Sequence, residues 1–175
     1  ATWNDYPEGH HMAPEVNHNY GWAVLLKHYK ARWKGEVSPY AHKDVAITFF
    51  KKYKWETQPS PYNIPIKNIA QAVEPMHEDS IEVVTILTAP AELTVNNKTV
   101  NVDKGIVSTK FAHQPGSVNV TVKRKKEPIL DFFTPEWITD KPYRTDRMIY
   151  CFSSEFYTFH QDVFGKLPPI YSTEY

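Results

Sequence analysis

The sequence predicts two characters in one chain, α/β over residues 1–78 and all-β over residues 79–175. Three observations carry this. In the first part a loop, an amphipathic helical stretch and a buried-type strand follow one another. From about Asp79 onward, short strand-like runs recur with turn residues between them and no helical period. In Ser117-Val118-Asn119-Val120-Thr121-Val122-Lys123 the apolar side chains alternate strictly with polar ones, the pattern of a sheet with one buried face.

Residues 1–4 are too few for a full strand and read as the end of one. Residues 5–19 carry Pro7, Gly9 and Pro14 among polar side chains and read as a loop. Asn19 is the expected helix N-cap. Trp22, Leu25, Leu26, Tyr29 and Trp33 then recur at helical spacing, which predicts one apolar face. Lys27, Lys30 and Lys34 lie off that stripe, and Gly35 stops the helix. The β-branched, apolar run Asp44–Phe50 predicts a buried strand, so that loop, helix and strand together read as a piece of a parallel unit. Pro59, Pro61 and Pro65 make residues 56–65 irregular. Ile66, Ile69, Ala70 and Val73 predict a short helix over residues 66–75.

Strands are predicted at Ile81–Thr88, Glu92–Asn96, Thr99–Val102, Ile106–Ala112 and Ser117–Arg124. Asn96-Asn97, Asp103-Lys104-Gly105 and Pro115-Gly116 are the turns between them. Such spacing without helices indicates an antiparallel sandwich, closed by Ile129–Thr134 and Met148–Ser153. The charge run Lys123-Arg124-Lys125-Lys126-Glu127 reads as a solvated hairpin tip. The segment Pro135–Arg147 reads first as a structured strap held by Asp–Arg pairs, and contact with a glycan through Trp137, Tyr143, Arg144 and Arg147 is the alternative. A last helix is expected near Glu155–Phe164.

Composition narrows the partners. Twenty basic residues balance twenty acidic ones, so no net field draws the chain to nucleic acid or to an anionic membrane surface. No run approaches the roughly 18 apolar residues of a membrane span. A neutral polysaccharide suits this balance. Aromatics make up 14% of the chain, enough to pack a core and to leave rings for stacking on sugar faces. The lone cysteine, Cys151, has no internal disulfide partner and reads as a buried small hydrophobe. Asn97 and Asn119 head Asn-X-Thr sequons, which leave the compartment open.

Asp5 and Glu8 are the candidate catalytic pair, although on spacing alone Asp-X-X-Glu reads first as a solvated loop with an N-cap acid. Glycoside cleavage needs one carboxylic acid to protonate the leaving oxygen and one carboxylate to activate water or attack the sugar. Two acids three positions apart across a Pro-containing turn can hold their oxygens roughly 5–9 Å apart, the span of both retaining and inverting mechanisms. Pro7 fixes one φ angle and Gly9 permits a sharp exit. Close carboxylates also push their pKa values apart, as an acid–base pair requires. Trp3 and Tyr6 flank the pair as candidate stacking rings. Asn4, His10 and His11 are candidate hydrogen-bond partners for sugar hydroxyls. A rival use of this segment is metal binding, since Glu8, His10, His11, Glu15 and His18 are five potential ligands within eleven residues. No His-Glu-X-X-His spacing supports it, and no metal or other cofactor is assigned.

The stretch Trp3-Asn4-Asp5-Tyr6-Pro7-Glu8-Gly9-His10 resembles the active-site signature of glycoside hydrolase family 71, the endo-α-1,3-glucanases. It is more distantly similar to the Asn-Glu-X-X-Glu-Gly loop of family 99, and Pro14 falls where both families tend to carry proline. The helical stretch Tyr20–Lys34 looks like the one that follows in family 71. Asp79–Ala91 and Val118–Arg124 resemble parts of that family's C-terminal β-domain. The likeness covers most of residues 1–124 and is strongest over residues 2–14.

The resemblance implies the terminal part of a (β/α)8 barrel followed by an antiparallel β-sandwich. Residues 1–78 would be the end of strand seven, its loop, a helix, strand eight (Val45–Phe50) and a closing helix; residues 79–175 would be the sandwich. It further implies inversion, with Asp5 as the base that activates water and Glu8 as the acid, although the order of the two roles stays open. In family 99 the first carboxylate instead assists the sugar's 2-hydroxyl. Pro7 departs from the Gly expected in family 71 and the His of family 99, which leaves the linkage open. The implied partners are a polysaccharide substrate and the rest of the chain's own barrel upstream. A secreted or periplasmic setting is favoured. The alternative is a non-catalytic β-sandwich module that binds carbohydrate or serves structure. Because the motif begins almost at Ala1, the expectation is a C-terminal piece of a longer protein whose isolated 175 residues do not hydrolyse glucan.

Overall fold

The computed structural model describes residues 12–14, 18–57, 79–142 and 148–155. One helix, α1 (Gly21–Trp33), precedes eight strands: β1 (Val45–Lys51), β2 (Ser80–Leu87), β3 (Ala91–Val95), β4 (Lys98–Val102), β5 (Gly105–Ala112), β6 (Gly116–Arg124), β7 (Glu127–Ile138) and β8 (Ile149–Ser153). They form two four-stranded sheets, β5-β2-β1-β8 and β4-β3-β6-β7. Every pairing is antiparallel.

The alternating runs build the core. Val118, Val120 and Val122 of β6 and Leu93 of β3 are fully buried against Ile81 and Val83 of β2 and Phe50 and Phe152 of β1 and β8. Each such side chain contributes about 1.5–3 kcal/mol by leaving water. One core thus lies between the sheets. A second cluster covers the other face of the β5-β2-β1-β8 sheet, where Val45, Ile47, Phe49, Val84, Ile86 and Cys151 meet Val24 of α1 and Tyr40. The order of layers is helix, sheet, sheet. Burial on both faces explains why Asp44–Phe50 reads as a continuous apolar run, while β6, buried on one face, alternates.

The β-sandwich expected from Asp79 onward is therefore present, with boundaries within a few residues of the predicted ones except in β7. That strand runs on through Ile138, so Pro135–Ile138 belong to the sheet and not to a strap. The turns need the predicted residues: Asn96 (φ 52°), Gly105 (φ 94°) and Gly116 (φ 120°) all take left-handed backbone. Lys125 and Lys126, at φ 53° and 73°, form the tip of the β6–β7 hairpin, as the charge run predicts.

Three expectations are corrected. The strand expected to be the eighth of a parallel barrel, β1, has antiparallel neighbours on both sides, β2 and β8, and lies inside the sandwich. No barrel is shown among the described residues. A buried apolar strand fits the centre of either sheet type, so its composition could not tell them apart. Asn19 is not the N-cap: that position is Tyr20, with no side-chain cap, while Asn19 adopts φ 44° and its side-chain amide donates to Cys151 O at 2.9 Å. The helix buries only part of the predicted face, since Trp22 and Leu25 pack against the second cluster but the rest of the stripe does not. Gly21, Val24, His28 and Ala31 point inward, whereas Leu26, Tyr29 and Trp33 are exposed, Trp33 by 85%. Small residues win the interface because the helix lies very close to the sheet. A Cβ on Gly21 would come within 1.6 Å of Cys151 Sγ and 3.0 Å of an Ile47 methyl carbon. The helices expected at residues 66–75 and near Glu155–Phe164 lie outside the described residues, save Glu155 itself.

Candidate functional site

Asp5 and Glu8, together with Trp3, Asn4, Tyr6, His10 and His11, lie outside the described residues. So do Glu15 of the rival metal reading and Tyr143, Arg144 and Arg147. What the structure describes is the anchor of the segment that carries the pair. Ala13 is buried, and His18 and Asn19 are buried where the chain turns into α1. His18 meets the Trp22 ring edge-on at 6.3 Å, and Trp22 packs on Phe49 of β1 at 4.8 Å. The Asn19 amide closes the anchor on β8. The segment thus enters the helix on the outer face of the β5-β2-β1-β8 sheet, held by ring contacts and by the buried Asn19 hydrogen bond.

Next to this anchor the helix carries a buried histidine. His28 Nδ1 lies 2.8 Å from Ser38 Oγ. Burial, and then the nearby Arg32, lower its pKa from the ordinary histidine value. Tyr40 in the same layer has its phenol pushed up to about 12 by burial and by Glu155. Among the described residues no three His, Cys, Asp or Glu side chains gather in a form that could hold a metal ion. No described helix is long and apolar enough to cross a membrane.

Two ion pairs that the sequence did not reveal tie the sheets together. Arg124, at the end of β6, makes a two-pronged contact with Asp44 at 2.8 and 3.1 Å, and also donates to the carbonyls of Ala89 and Pro90. Asp44 accepts from the Thr88 backbone and hydroxyl as well. Burial pushes the Asp44 carboxyl up, but the hydrogen bonds from Arg124 and Thr88 outweigh it, and its pKa is lowered. Lys52 and Glu136, both largely buried, pair at 2.8 Å. In sequence these partners are 80 and more residues apart, and no local pattern links them. Beside Arg124 lies a cleft of about 340 Å³ between Pro90–Glu92, Asn101–Asp103 and Lys123–Lys126. Lys123, Lys125 and Lys126 line it together with Glu92 and Asp103, so its lining is of mixed charge.

Comparison with known proteins bears on the loop that precedes the anchor. The family model described as Glycosyl hydrolase family 71 matches residues 1–154. A mutanase of Penicillium rubens is 29% identical over 152 residues, which is 74% of this chain and 33% of the mutanase. The chain therefore spans about a third of the length of that curated relative. No solved structure matches the chain.

Proposed function

The chain belongs to glycosyl hydrolase family 71, and from that premise we propose that it carries the acid–base loop of a glycoside hydrolase acting on α-linked glucan. The observation that carries the reading is the family match across residues 1–154, which takes in the Asp5–Glu8 loop, its anchor and most of the sandwich. The mutanase relative supports the substrate class. In this reading Asp5 draws a proton from water, which attacks the anomeric carbon, and Glu8 gives its proton to the departing glycosidic oxygen. Trp3 and Tyr6 stack on the sugar rings, and Asn4, His10 and His11 hold its hydroxyls. The site is completed by barrel sequence upstream, in keeping with the greater length of the mutanase.

The test is hydrolysis of α-1,3-glucan by the full-length polypeptide. Asp5→Asn and Glu8→Gln are each expected to lower kcat by about 10²–10⁴-fold, the scale of general acid–base catalysis. Near-normal turnover in either variant would remove that residue from the pair. The anomeric configuration of the first product, followed by NMR, distinguishes inversion from retention.

A second reading is favoured by one observation: the described strands all belong to a sandwich. As an isolated chain the molecule then serves as a carbohydrate-binding or structural module. Binding of glucan without turnover is its signature.

A further inference from the structure

The outward face of the β4-β3-β6-β7 sheet carries two exposed rings, Phe133 at 68% and Trp137 at 38%. They are four residues apart on β7, which in a regular strand separates them by roughly 13 Å. The register shows otherwise. Trp137 pairs with Ser117 and Phe133 with Asn119, so four residues of β7 are matched by two of β6. The bulge in between takes Thr134 into the core, and Glu136 turns inward to Lys52. Pro135, which has no N–H to give a ladder, lies in the same bulge. The consequence is that the two rings stand beside neighbouring outward positions, roughly 7 Å apart along the sheet.

The surroundings of the rings are polar and mostly uncharged. Ser117 and Asn119 lie directly opposite them. One row further on, Thr99, Thr94, Thr121 and Asp131 form an outward line, with Thr94 and Thr99 hydroxyls 2.9 Å apart and Thr121 donating to Asp131 at 2.9 Å. Two rings set among hydroxyls and amides do not make the contiguous apolar patch that a protein partner buries. They suit a ligand that offers C–H faces to the rings and hydroxyls to the polar groups, and that carries no charge.

We propose that Phe133 and Trp137, brought together by the β7 bulge, form a stacking platform for a neutral polysaccharide chain, with Ser117 and Asn119 as hydrogen-bonding partners. The ligand is an α-glucan, a choice that rests on the reading of the chain as an α-glucan hydrolase. The platform holds the polymer on the sandwich, apart from the residues assigned to bond cleavage.

Retention of the 175-residue chain on insoluble α-1,3-glucan tests this, with soluble gluco-oligosaccharides as competitors. The double variant Phe133→Ala/Trp137→Ala should lose about tenfold in retention, which corresponds to about 1.4 kcal/mol. The double variant to Leu, which keeps apolar bulk without ring faces, should lose as much. Trp33→Ala, which removes an exposed ring on α1 among Lys30, Arg32 and Lys34, should bind as the parent does. Undiminished retention of both double variants overturns the proposal. So does failure of the parent to bind any neutral polysaccharide, or a ring-dependent dimer in sedimentation velocity. Ring-dependent retention on a different neutral polysaccharide, with none on α-glucan, supports the platform and overturns the α-glucan reading.

Discussion

Gly21 shows how a single residue sets a layer. It is the first residue of α1. The position tolerates nothing larger, because a Cβ there would meet Cys151 Sγ at 1.6 Å. Gly21→Ala is therefore expected to destabilise the chain by about 1–3 kcal/mol, the usual cost of overpacking. Pairing it with Cys151→Ala should recover part of the loss, since the clashing sulfur is removed and only the 3.0 Å and 3.3 Å approaches of Ile47 and the residue-151 Cβ remain. Urea unfolding of both single variants and the double variant measures this coupling. Strictly additive losses would mean that Gly21 is needed for its backbone and not for the close approach. The sulfur of Cys151 is thus best understood as packing, as its complete burial in the second core shows.

At the scale of elements, α1 and the Asp44–Arg124 clamp carry the next predictions. Val24 is fully buried while Trp33 is 85% exposed, although both are apolar residues of one helix. Val24→Ala is expected to cost about 1–2 kcal/mol, from two lost methyl groups at about 0.8 kcal/mol each. Trp33→Ala should stay within about 0.5 kcal/mol of the parent. The reverse order in a thermal melt would mean that the apolar stripe, not the small-residue face, meets the sheet. The clamp joins the start of β1 and the β2–β3 connection to the end of β6, and so links the two sheets. The pKa of Asp44 is lowered in the folded state from its usual 3.8. Such a carboxylate contributes stability that is fully present above the unfolded value and is lost as pH falls through the folded one. Asp44→Asn should therefore cost about 1–3 kcal/mol at pH 7. The gap between variant and parent should narrow as the pH falls below about 4. A gap independent of pH would assign the loss to packing and not to charge.

For the whole molecule, the sandwich decides what the isolated chain can do. Strands on both sides of residue 78 share one sheet, since β1 pairs with β2 and β8. A (β/α)8 barrel takes about 250 residues, more than the 175 present, and much of this chain is committed to two antiparallel sheets. The purified chain is expected to fold, to bind polysaccharide and to release no reducing sugar from α-1,3-glucan. Turnover by the purified chain that disappears in Glu8→Gln would overturn this.

The strands, turns and hairpin tip were legible in the sequence because they are governed locally. Period-two alternation marks β6, and Asn96, Gly105 and Gly116 stand where left-handed backbone is needed. The family too was legible, from the residues around Asp5 and Glu8. Three things were decided only in three dimensions. Apolar β1 suits a parallel or an antiparallel centre equally well, and its neighbours alone settled which. The buried face of α1 was chosen by how near the sheet stands, so Gly21 and Ala31 went inward and Tyr29 and Trp33 stayed out. The Asp44–Arg124 and Lys52–Glu136 pairs, and the neighbouring of Phe133 with Trp137, arise from register between strands. A sequence specifies the periods and turns within each strand, but contacts across strands depend on pairing and on a bulge that no local pattern records.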